Sequence, residues 1–397
     1  MLAVLSEWLN LLLRWAHIML GIGWIGASFF FIWLDQSLRK RPGQAEGIAG
    51  ESWMVHGGGF YKTDKFSVAP DTLPEELHWF KHEAYFTFIT GFLLMVVIYY
   101  FGAEAYLIDR GKIDLAPWQA IAISVGSLIV GWVIYDQLCK SPLGSKTGPL
   151  AIAVFLLIAA ATFLYNAVFT DRAAFLHIGA FIGTIMAVSV FGVIIPNQKK
   201  VVADLMAGRK PDPALGLQAK QRSLHNNYLT LPVIFMMVSN HYPTVFSHPW
   251  APMIALGIVV AGALVRHFFN ELDAGTLGWD GKASLPAAAV LVLLLVAVTG
   301  YRPDLAGTGE EVEFAEVQSI VDTHCVVCHA QNPLHEGFEA APKGIMLETP
   351  EQLRRYAVQI NRQAVLSDIM PLGNETEMTD EERQTLGAWI AQGAKVE

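Results

Sequence analysis

The chain of 397 residues is 53% hydrophobic and 16% charged, whereas a soluble domain carries about 25% charged residues, so much of it cannot solvate its own surface. Its net charge of −9 is gathered at one end: residues 301–397 hold 17 Asp/Glu against 7 Lys/Arg, while the remainder is close to neutral. This excludes a simple soluble enzyme, and a tail so acidic and so poor in bases excludes nucleic acid as a partner.

A spanning helix needs about 20 mainly apolar residues, and eight stretches qualify: roughly 8–34, 82–101, 117–138, 149–169, 173–196, 224–241, 250–270 and 284–300. The sixth and eighth are the weakest, being short and carrying Pro232 and Pro286. The first basic residue, Arg14, already lies inside the first apolar run, so that run reads as a retained span and not a cleaved leader. Cys139, near the end of the third span, reads as structural. Basic residues orient the set. Loops after the first, third, fifth and seventh spans hold 15 Lys/Arg, and the opposite side holds Arg110, Lys112, Arg172 and Arg302. Both termini are therefore expected outside. For a bacterial-type chain that means a multi-pass protein of the inner membrane with periplasmic termini.

The apolar body also repeats itself. His17-Ile-Met-Leu-Gly-Ile-Gly23 is echoed by His177-Ile-Gly-Ala-Phe-Ile-Gly183, and His82-Glu-Ala-Tyr85-Phe-Thr87 by His225-Asn-Asn-Tyr228-Leu-Thr230. Trp118 and Trp250 open the third helix of each set. The expected fold class is all-α: a polytopic membrane bundle of eight helices in two parallel four-helix repeats, residues 1–301, followed by a small soluble domain, 302–397.

That second domain reads as a class I cytochrome c. Cys325-Val-Val-Cys328-His329 is a c-type haem attachment motif. Two thiols on one helical turn meet the two vinyl groups, and the adjacent imidazole reaches the iron. Helix-like stretches flank it, from Glu311 to Thr323 and from Asp380 to Gln392, the latter with Leu386, Trp389 and Ile390 on one face. The sixth ligand is expected to be a methionine in a loop before the last helix. Met370, followed by Pro371, suits it best, Met378 comes next, and Met346 falls too close to His329. Covalent haem attachment takes place outside the cytoplasmic membrane, where the charge count also puts the tail.

As a whole the chain resembles the bacterial membrane-bound urate oxidase (urate hydroxylase) family, whose members join an eight-helix domain to a C-terminal cytochrome c. The resemblance rests on Trp15-Ala-His17 with Gly23-Trp24-Ile25-Gly26, on His56-Gly-Gly-Gly-Phe60-Tyr61, on Lys81-His82-Glu83, on His225-Asn-Asn-Tyr228, and on Met370-Pro371 with Met378-Thr379. It implies oxidation of urate to 5-hydroxyisourate with water as the oxygen source. Electrons would pass to the covalent haem c and on to a respiratory cytochrome or terminal oxidase. Two other functions compete: a cytochrome c-linked oxidoreductase for another purine or a quinol, and a purine carrier or haem-handling protein with a redox relay appended.

Ionisable groups within spans are costly and usually face a cavity, a cofactor or a partner. Here they are Arg14, His17, His82, Glu83, His177, His225, Arg266 and His267. His17 and His177 share a depth, roughly 25 Å above the inner ends of their helices, whereas His82 and His225 open theirs near the inner face. Each symmetric pair either holds a b-type haem or lines a substrate cavity, and His17 with His177 also suits a relay. Glu83 is the carboxylate in a span's first turn and suits a general base. Asn226 is its counterpart in the other repeat, where an amide suits the edge of a purine. Urate is thus expected in the inner half, at His82, Glu83, His225 and Asn226. The Gly57–Gly59 run beside them would let backbone amides approach a ligand, or form an ordinary loop.

Overall fold

The computed structural model describes residues 2–66, 73–301, 311–367 and 369–396. The first long helix, α1 (Leu2–Ser37), is followed by the strands β1 (Ile48–His56) and β2 (Gly59–Phe66). Then come α2 (His82–Met95), extended by a π-helical turn at Val96–Tyr100, a short α3 (Ala103–Tyr106), α4 (Pro117–Lys140) and α5 (Thr147–Val168). The second half holds α6 (Asp171–Ser189), which runs through a π-helical turn, Val190–Ile194, into α7 (Ile195–Met206). It continues with α8 (Pro213–Ser239), a short α9 (Pro243–Phe246), α10 (Ala251–Ala274) and α11 (Trp279–Gly300). Three further helices build the tail: α12 (Phe314–His324), α13 (Pro350–Ile360) and α14 (Asp380–Ala391).

Local chemistry sets several of these ends. Thr170 caps α6 through its hydroxyl, and Asp212 caps α8, with Pro213 at the first helical position. Gly275, at φ 72°, closes α10 in the left-handed conformation that glycine adopts without strain. Among the described residues seven helices are long and apolar enough to cross a membrane, the fifth being the composite Asp171–Met206. Helix α8 has 27 residues and spans about 40 Å, but its first half carries Lys220, Arg222 and His225. It starts well before the predicted 224, because Arg222 and His225 find partners inside the bundle.

Small residues let the helices close up, as is usual where apolar burial alone does not drive association. A Cβ on Gly131 of α4 would lie 2.0 Å from the Phe181 ring of α6, and one on Gly91 of α2 would lie 2.8 Å from His17 of α1. Pro232 sits inside α8 where Gly262 of α10 approaches it. Helix pairs recur along the chain: α1 packs on α2 as α6 does on α8, α4 on α5 as α10 does on α11, and α1 on α10 as α4 does on α6. The contact of α5 with α6 has no comparable counterpart between α11 and α1.

The chain is mostly helical, as expected, with one small hairpin that the sequence reading did not foresee. Strands β1 and β2 form an antiparallel hairpin, His56 opposite Gly59. Gly57 and Gly58 occupy its two-residue turn with φ of 57° and 80°, the conformation such hairpin turns demand. The glycine run therefore forms the turn of a hairpin.

In the tail, α12 and α14 pack together with the Phe314 and Trp389 rings 6.2 Å apart. Val317, Val321, Leu353, Met378, Leu386 and Trp389 form its core. The expected flanking helices are both present, starting at Phe314 and Asp380. The tail touches the bundle through Leu372–Asn374 against α3 and through the π-helical turn Asn361–Val365 against α9. Ile369, between these two segments, packs on the core of the helix bundle. The boundary expected after residue 301 abuts residues 302–310, which with Arg302 lie outside the described residues.

Candidate functional site

Three groups of side chains carry the chemistry. The first is in the tail, where the turn after α12 brings Cys325, Cys328 and His329 together: the Cys328 and His329 amides both donate to the Cys325 carbonyl, at 3.2 and 2.8 Å. His329 Nδ1 donates to the Ile345 carbonyl at 2.8 Å, which fixes the ring's tautomer and leaves Nε2 as the free lone pair. Burial pushes the Cys325 thiol up to about 12 and raises Cys328 too. Met370 is half-buried, and its carbonyl accepts from Arg383 Nη1 at 2.7 Å. Met378, by contrast, is a core residue, 3% exposed. Two thiols, an imidazole with Nε2 free and a thioether outside the core suit a c-type haem.

The second group lies between α4, α6 and α8, near the end of α4. Arg222, 2% exposed, donates to the Asp136 carboxylate at 2.7 Å and stacks 4.8 Å above the Tyr135 ring. Asp136 also pairs with Lys140 at 2.6 Å. The Tyr135 hydroxyl and His225 Nδ1 are 2.8 Å apart, with Cys139 beside them. Asn226 donates to the Met186 carbonyl at 3.1 Å. These residues share faces because positions i, i+3 and i+4 line one side of a helix. Beside this group, Arg266 bonds Asn270 and Asn227 and stacks on Phe29, and His267 Nδ1 lies 3.1 Å from the Tyr228 hydroxyl.

The third group surrounds His177, which is fully buried. Its Nδ1 donates to the Ala173 carbonyl at 2.7 Å, since a carbonyl can only accept, so Nε2 accepts from the Ser124 hydroxyl at 2.7 Å. Ser124 in turn accepts from the Tyr100 hydroxyl at 2.8 Å. Rings of Tyr99, Tyr165 and Phe169 pack around the imidazole. Towards α9, Asn240 accepts from Arg172 and from Tyr99.

The family model for the urate oxidase N-terminal domain matches residues 3–300. The chain belongs to the urate oxidase N-terminal family. No curated relative and no solved structure matches it. Membership in the urate oxidase N-terminal family gives the chain a urate-oxidase-related role, that of an oxidoreductase acting on urate. The matched residues comprise the whole helix bundle and stop short of the tail.

Within the matched region the expected site residues separate. His225 and Asn226 join the Arg222 group. His82 is exposed, with its ring near Tyr85 and Phe86, and Glu83 is half-buried against Gly23 of α1. Between these two sets stands the π-helical turn Val190–Ile194, with Phe191 packed on Tyr85 and Phe88. His17 Nδ1 donates to the Thr87 carbonyl at 2.9 Å, so His17 and His177 share no partner. A cavity of about 790 Å³ opens among α1, α7 and α8, lined by Gln36, His78, Trp79, Gln198 and Lys220.

Sequence reading missed Arg222, Tyr135, Asp136, Ser124 and Asn270. Asp136 carried a usable signal: a carboxylate inside a predicted span. In the sequence Arg222 reads as one of the loop cations that orient the bundle.

Proposed function

We propose that this protein oxidises urate to 5-hydroxyisourate within its helix bundle and delivers the electrons to a haem c held by its tail. The carrying observation is that one chain joins a bundle of the urate oxidase N-terminal family to Cys325-Val-Val-Cys328-His329, and that the segment around Met370 seats on that bundle. Urate and water yield 5-hydroxyisourate, two protons and two electrons, so no peroxide is needed. Cys325 and Cys328 would hold the haem covalently, and His329 Nε2 and Met370 would bind its iron. When bound it supplies a store for one electron at a time.

The bundle residues bind the planar anion, orient water and move protons. His225 and Asn226 belong to the binding region, and Glu83 with His82 lies across the π-helical turn from them. His177 serves as a hydrogen-bonded relay with Tyr100 and Ser124, and both its ring nitrogens being engaged favours that role over ligation of a b-type haem. Eight crossings are supported by the seating of the tail. It touches α3 and α9, and these share one end of the bundle only if α8 crosses along with α4, α5 and α6. With both termini at that end, the inner membrane and periplasm follow from the basic loops. A respiratory cytochrome or terminal oxidase would take the electrons onward.

Urate added anaerobically to the oxidised protein tests this. About two haems should be reduced per urate consumed, and oxygen from labelled water should enter the product. Cys325→Ala should abolish haem attachment and turnover together. Uptake of purine into vesicles without any haem reduction would overturn the reading in favour of a carrier.

A further inference from the structure

Among the described residues nine buried side-chain nitrogen or oxygen atoms have no hydrogen-bond partner, and five of them belong to one place: Trp132 Nε1, Ser189 Oγ, Arg222 Nε, Arg222 Nη1 and Asn226 Oδ1. Buried polar groups are rarely left unbonded, and each costs about 1–3 kcal/mol when it is. Such a concentration marks a position that a partner occupies. Trp132 stands one turn before Tyr135 and Asp136 on α4, and its ring lies 3.5 Å from where a Cβ on Gly192 would be. Gly192 belongs to the π-helical turn that follows Ser189, a distortion that recurs at functional sites. From α8, Arg222 lies over Tyr135, and Asn226 bonds Met186, one turn before Ser189.

Charge narrows the occupant. Asp136 is shared between Arg222 and Lys140, so one carboxylate faces two cations and the group keeps a net positive charge. Water could satisfy the orphan atoms but would leave that charge uncompensated. We propose that Arg222, Trp132 and Asn226 form the binding site for the planar purine anion, an assignment that rests on the urate reading above. Arg222 Nε and Nη1 and Trp132 Nε1 donate to ring nitrogen and carbonyl oxygen. Asn226 Oδ1 accepts a ring N–H. Donors and an acceptor on rigid helices thus read the alternating edge of an oxidised purine, and the guanidinium selects the anion over a neutral ring.

Dithionite-reduced holoprotein, which has no oxidised haem to accept electrons, is dialysed against radiolabelled urate. Arg222→Met and Asn226→Asp should each weaken binding by about thirtyfold or more. Trp132→Phe should weaken it by about threefold to tenfold, and Arg222→Lys should recover part of the Arg222→Met loss. Neutral hypoxanthine should bind wild type far more weakly than urate. The haem absorbance and gel-filtration profile report folding, and if Arg222→Met does not fold, Asn226→Asp and Trp132→Phe decide. Wild-type affinity in folded Asn226→Asp and Trp132→Phe would overturn this site while leaving the urate reading standing. Wild-type protein that binds no urate would overturn both.

Discussion

Helix α4 carries two polar clusters that differ in how they are finished. At Ser124 the cluster closes on itself: Tyr100, Ser124, His177 and the Ala173 carbonyl form an unbroken row of donors and acceptors. Eleven residues further along, Tyr135 and Asp136 belong to a cluster with orphan atoms on Trp132, Ser189, Arg222 and Asn226. Both are buried among apolar helices, where an unbonded polar group is expensive. The closed cluster is complete as a piece of architecture, whereas the open one is built around something else. A histidine buried in a helix bundle is therefore no pointer to a ligand until its two nitrogens have been accounted for.

The comparison can be broken most severely at Asp136. Replacing it with Leu leaves Arg222 as a buried charge without its counter-ion, which should cost about 3–5 kcal/mol and lower the thermal midpoint in detergent sharply. The double variant with Arg222→Met should regain most of that loss; failure to do so would mean the pair does more than balance charge. At the closed cluster, Ser124→Ala removes the donor to His177 and the acceptor of Tyr100. Two buried groups are left unbonded, so the cost should be about 2–3 kcal/mol, with urate affinity unchanged. A large fall in affinity would show that the clusters are not separate.

The smallest effect lies outside the bundle, in the hairpin. Glu51 accepts from Trp53 Nε1 at 2.9 Å and pairs with Lys62 at 3.0 Å and Arg41 at 3.3 Å. The Trp53 hydrogen bond first, then that of Lys62, hold its carboxyl down at about 2, against 4.5 for a free group. A carboxyl lowered in the folded state stabilises it fully above 4.5, and that contribution disappears as the pH falls towards 2. Pepsin nicking within Ile48–Phe66 should therefore rise over that interval. Glu51→Gln should flatten the pH dependence, and an unchanged profile would discount the ion pairs.

How much was legible in the sequence follows the distance between cooperating residues. The proposed haem motif is five consecutive positions, so it can be recognised without a fold. Seven spans could be read because their apolar runs are continuous. The open cluster could not, because Tyr135 and His225 are 90 positions apart and Arg222 looks like a loop cation until Asp136 is found opposite it. The hairpin was hidden for another reason: Lys62, Asp64 and Lys65 make β2 resemble a charged loop, and consecutive glycines mark a turn and a ligand loop equally well. Position along a helix can be read for individual histidines, but it does not say which neighbouring helix each one faces.

Arg383 gives the tail a mechanical property. Its guanidinium donates to the Ala364 carbonyl at 2.6 Å, the Met370 carbonyl at 2.7 Å and Asn374 at 3.4 Å. Ala364 belongs to the turn that rests on α9, and Asn374 to the segment that rests on α3. One planar fork of donors, rooted in α14, thus rivets both footings to the same rod. The tail cannot peel away from one corner while the other stays down; it seats or lifts as a single stopper, carrying Met370 with it.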